Sequence, residues 1–66
     1  MNIERINELG RIIEDADKKM SLIESKLTDP ENTQDKDYLL DMFYMNMDRR
    51  SLCMAEITEL TGKARQ

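Results

Sequence analysis

Histidine is absent from this chain, and cysteine occurs once, at Cys53. A single cysteine cannot close a disulfide within the chain, and one thiol without histidine cannot build a tetrahedral zinc site. The same absence leaves Cys53 without an imidazole to activate it as a nucleophile. It reads as a small packing residue instead. Glycine occurs only at Gly10 and Gly62, so no glycine-rich phosphate loop can form. Carboxylates are plentiful, but their spacing spreads them over exposed helix faces, and two helices offer little room for a concave site. No catalytic residue, metal or cofactor is expected, and the chain does not read as an enzyme.

Long apolar runs are also missing. The longest, Tyr38-Leu39-Leu40, is cut by Asp41, far short of the ~18–20 residues that cross a bilayer. Met1-Asn2-Ile3-Glu4-Arg5 has neither a basic leader nor an apolar segment. A lone unpaired thiol fits a reducing compartment, so the expected location is the cytoplasm. The net charge of −4 repels phosphate backbones. The basic pairs Lys18-Lys19 and Arg49-Arg50 lie beside Asp15, Asp17 and Asp48, which makes them solvated faces rather than a nucleic-acid patch. Surface-bound membrane helices want basic residues beside the apolar face. The charges near the apolar part of the second helix are Asp37, Asp41 and Asp48.

What is present is a heptad pattern. Ile6, Leu9, Ile13, Ala16, Met20, Ile23 and Leu27 alternate gaps of three and four, which draws one apolar stripe down a helix. That predicts a first helix from about Asn2 to Leu27, with Asn2 as N-cap and Glu4 near the positive end. Glu14 with Lys18 and Asp15 with Lys19 support it from the outside. Gly10 either admits a neighbouring backbone or is a tolerated surface glycine. The only proline, Pro30, ends this helix and disfavours helical geometry at Asp29. Asp29 with Pro30, or Thr28 with Glu31, could equally open a helix. The favoured reading is a turn over 28–36. The alternate acidic positions Asp29, Glu31, Asp35 and Asp37 lack the glycine and terminal glutamate of a calcium loop.

A second helix follows, from about Asp37 to Thr61, with Gly62 as its end and Lys63-Ala64-Arg65-Gln66 as a basic tail suited to the negative pole. Its stripe is Leu40, Phe43, Met47, Arg50, Met54, Ile57 and Thr61. Arg50 interrupts the apolar line and can lay its stem along the seam while its head reaches an acidic residue or solvent. Leu39, Cys53 and Leu60 widen the stripe on one flank. The expected fold is all-α: one antiparallel two-helix hairpin over 1–66, coiled-coil-like, with a core of Ile6, Leu9, Ile13, Ala16, Met20, Ile23, Leu27, Leu40, Phe43, Met47, Met54 and Ile57. A lone core this small rarely supplies more than ~3–5 kcal/mol, so association is expected.

The second helix carries more apolar surface than one neighbour covers. Met42, Met45 and Leu52 lie on a different side from the stripe, and a helix apolar on two sides is normally buried on two sides. Unbranched thioethers suit accommodating binding faces. Tyr38 and Tyr44 suit an interface rim. Tyr38, Met42, Met45 and Leu52 are therefore the expected partner-binding residues.

In size and layout the chain resembles the small co-chaperones of type III secretion needle subunits, the YscE/PscE/EscE type. The likeness lies in the charged heptad helix over 3–27, the polar turn over 28–36, and Tyr38-Leu39-Leu40 leading to Ala55-Glu56-Ile57-Thr58-Glu59-Leu60-Thr61. The resemblance implies a cytoplasmic hairpin that binds a helical-repeat chaperone and helps keep the needle subunit soluble and unpolymerised. The methionine-rich second helix departs from that pattern and leaves the binding face open. Needle subunits also have a proline-containing turn, but their last helix ends in an apolar segment, whereas Thr61–Gln66 is polar. The alternative is a homodimeric four-helix-bundle regulator of the Rop type. Its RNA-binding form would need a basic face on the first helix, which the mixed charges there do not provide.

Overall fold

The computed structural model describes residues 2–62. Helix α1 runs Ile3–Thr28 and helix α2 runs Lys36–Thr61. They pack along their length as an antiparallel hairpin, and no strand occurs among the described residues.

Each boundary has a local cause. The Asn2 side chain accepts the Arg5 amide at 3.0 Å, and the Ile6 amide donates to the Asn2 carbonyl, so the first orphan donors are satisfied. At the far end Asp29 is extended and caps α1 through its amide to the Lys26 carbonyl. The Thr28 hydroxyl donates back to the Glu24 and Ser25 carbonyls. It therefore belongs to α1 rather than opening a second helix. Asp29 instead closes a tight turn, accepting the Glu31 amide at 2.9 Å. Asp35 caps α2 by accepting the Asp37 amide at 2.9 Å, which puts the start of α2 at Lys36. Gly62 ends α2 with φ 75°, the left-handed geometry that favours glycine. The expected basic tail, Lys63 to Gln66, lies outside the described residues.

The seam is narrow. Its buried side chains are Leu9, Ala16 and Ile23 on α1 and Leu39, Asn46 and Cys53 on α2. Each set is spaced by seven, two helical turns. Ile6, Ile13, Met20, Leu27, Phe43 and Ile57 are half-buried beside it. Leu40, Met47 and Met54, expected in the core, are exposed. Helix α2 is turned so that Leu39 and Cys53 lie inward and the expected stripe becomes a flank. The reason is size: Ala16, Asn46 and Cys53 let two backbones approach, and the longer methionines do not.

Among the described residues, two ion pairs tie the helices across the seam. Arg5 donates from Nε to Glu56 Oε2 at 2.7 Å and from a terminal nitrogen to Oε1 at 3.1 Å, a two-pronged contact near the open end. Arg5 also meets Glu8 on its own helix. Arg50 reaches Asp17 at 2.8 Å, the acidic residue rather than solvent of the two expected destinations. The Glu14–Lys18 and Asp15–Lys19 pairs stand at 3.6 and 3.0 Å on the outer face of α1.

The Arg5 hydrogen bond holds the Glu56 carboxyl below its usual 4.5. A group with a lowered folded pKa stabilises the fold above its unfolded value and loses that contribution as pH falls through the folded one. Glu56→Gln should therefore lower the melting temperature at neutral pH, and the difference from the native chain should close as acid protonates the folded-state carboxyl. Thermal melts across pH check this; a pH-independent difference would contradict it.

Gly10 is not a site of close backbone approach, because a Cβ built there meets nothing within 4 Å. Gly10→Ala should then add helix propensity without a clash, raising stability by about 0.5–1 kcal/mol in urea titrations.

Candidate partner-binding surface

The hairpin is one layer with two broad faces. On one of them, the front, Tyr38, Met45 and Leu52 stand seven residues apart along α2 and form a single row. Met45 is 64% exposed, Leu52 65% and Tyr38 56%. Met42 is half-buried: it lies between this row and the seam, not on a separate outward side. It therefore serves as the floor of the face rather than its crest.

From α1 the front receives Lys19, Leu22 and Lys26. Leu22, Tyr38 and Met42 surround a shallow hollow of about 220 Å³ near the turn, with Ile23 and Leu39 beneath and Lys19 and Lys26 along its α1 side. A second hollow of about 190 Å³ adjoins it, between Lys19, Met42, Met45 and Arg49. The face is thus apolar in the middle and cationic at the edge. Lys19 is paired with Asp15, while among the described residues neither Lys26 nor Arg49 has a carboxylate partner. Such a surface suits an apolar segment flanked by acidic residues.

The sequence brought out the α2 half of this face and missed the α1 half. Leu22 is 60% exposed and stands off the heptad stripe, three and four residues from Lys19 and Lys26. That spacing was the available signal. Tyr44 is also exposed, with its ring edge-on to Phe43 at 6.0 Å. Helical counting puts it away from the front row.

No three of the metal-ligating residue types gather among the described residues. Cys53 is buried in the seam. No helix is long and apolar enough to cross a membrane among the described residues. No family model matches the chain, and no curated protein or solved structure does either.

Proposed function

We propose that this chain is a protein-binding co-chaperone, of the kind that helps keep a type III secretion needle subunit soluble in the cytoplasm by joining a helical-repeat chaperone. The reading rests on one observation above all: a row of large apolar side chains, Tyr38, Met45 and Leu52, stands open beside a hollow that Met42 lines. Exposed apolar surface of this kind marks a binding face. It contributes about 25 cal/mol per Å² of apolar area covered, before the costs of association. The layout of the chain, a charged heptad helix, a short polar turn and a second helix, supports the co-chaperone assignment. Shallow hollows beside the exposed apolar row, with Cys53 buried in the seam, support a binding role.

Met45→Asp tests the proposal. Met45 is mostly exposed, so the substitution should leave helicity by circular dichroism intact. It should abolish recovery of a helical-repeat chaperone and its needle subunit in a pull-down read by mass spectrometry. Undiminished recovery of the same partners by Met45→Asp would refute the front face as their site. Loss of helicity would place Met45 in the internal core.

A further inference from the structure

The opposite face, the back, is also uncovered. Leu40, Met47 and Met54 stand seven apart on α2 and are exposed, Met47 by 42%. Ile6, Ile13, Met20 and Leu27 stand seven apart on α1 and are only half-buried. Both rows lie on the side where Arg50 crosses to Asp17. We propose that a second copy of this chain covers the back face, giving a two-layer bundle of four helices.

Three observations select that occupant. First, the hairpin alone is not compact. Its radius of gyration is 15.0 Å, against about 11 Å for a globular domain of this length. Stable domains enclose a core between two layers, and here Leu9 is the only large side chain fully shielded among the described residues. Second, the area is right. Extents of 47 by 20 Å give a footprint on the order of 900 Å² per copy, close to the ~800 Å² per partner of a stable interface. Third, the back carries charges of both signs, acidic on α1 and basic on α2. Asp17 and Glu24 border the back on α1, while Lys36 and Arg50 lie on α2 between the seam and the Leu40–Met47–Met54 row, Arg50 already reaching Asp17 of its own copy. A two-fold axis along the hairpin lays α1 of one copy over α2 of the other, acid over base. The apolar rows then meet at matching heptad spacing, as knobs into holes require. The front face offers no such match, since the charges beside its hollows, Lys19, Lys26 and Arg49, are all of one sign.

The dimer uses the back and the proposed chaperone site uses the front, so each can fail without the other. Sedimentation equilibrium of the purified chain should give twice its 7.8 kDa mass. Met47→Glu should weaken dimerisation at least about 100-fold by forcing a carboxylate into the apolar layer. Met45→Glu, on the front, should leave it unchanged. A native chain that stays helical and monomeric, or a dimer that Met45→Glu weakens as much as Met47→Glu does, overturns the proposal. Should Met47→Glu fail to fold, dilution of the native chain decides. A dimeric fold must lose helicity and melting temperature on dilution, and independence of concentration overturns the proposal.

Discussion

Leu9→Ala should leave most of the chain unfolded at room temperature. Leu9 is the most fully shielded large side chain among the described residues, and truncating a buried leucine to alanine costs about 2–5 kcal/mol through lost transfer energy and the cavity left behind. The whole core of a chain this short is worth only ~3–5 kcal/mol. Nothing nearby can collapse into the gap easily, because the seam holds one row of side chains from each helix and the Arg5–Glu56 contact fixes the register at that end. Urea titration followed by circular dichroism, at one fixed protein concentration, measures the loss. Leu22→Ala is the matched control: the same atoms are removed from a side chain 60% exposed, with an expected change within about 0.5 kcal/mol. A Leu9→Ala loss under about 1 kcal/mol would mean that the seam is not where the stability lies.

That contrast between Leu9 and Leu22 also marks how far the sequence could be read. The hairpin was legible because its signals are local. Asn2, Asp35 and Gly62 are chemically suited to the ends they occupy, Pro30 stops α1, and a seven-residue spacing can only mean two helices side by side. Which side of α2 turns inward was not legible. Hydrophobicity favours the line through Leu40, Met47 and Met54, whereas closeness of approach favours the line through Leu39, Asn46 and Cys53. Periodicity weighs the first quantity and says nothing of the second. Opposite Ala16 the backbone separation is set by the smallest side chains available, so a polar but compact asparagine displaces a greasy but long methionine. The same rotation brought Met42 down toward the seam and left Met45 and Leu52 outward. Lys19, Leu22 and Lys26 of α1 face the same side, so the surface is completed across two helices, and the spacing within α1 alone does not show which side of α2 it meets.

Replacing that asparagine should stabilise the hairpin and loosen its specificity. Asn46 is buried at the middle of the seam, and its side-chain nitrogen donates to the Met42 carbonyl one turn back at 2.8 Å. Such a bond competes with the helix's own ladder and contributes little net. Burying a side-chain amide costs about 1–3 kcal/mol by protein mutational data, and asparagine is also a poorer helix former than leucine. Asn46→Leu removes the amide, restores an apolar row from Leu39 to Cys53, and has room for its extra volume, because both hollows of the front face open beside this position. A gain of about 1–2 kcal/mol in urea titration is expected. The compensating loss is register. A lone polar residue in a heptad seam disfavours slipped and misoriented pairings that an all-apolar seam tolerates, so the variant should show a higher melting temperature together with a mixture of oligomers in sedimentation velocity. A variant that is both less stable and uniform would mean that the asparagine satisfies more of the interior than its single bond to Met42 accounts for, and that the seam is held by its polar centre rather than in spite of it.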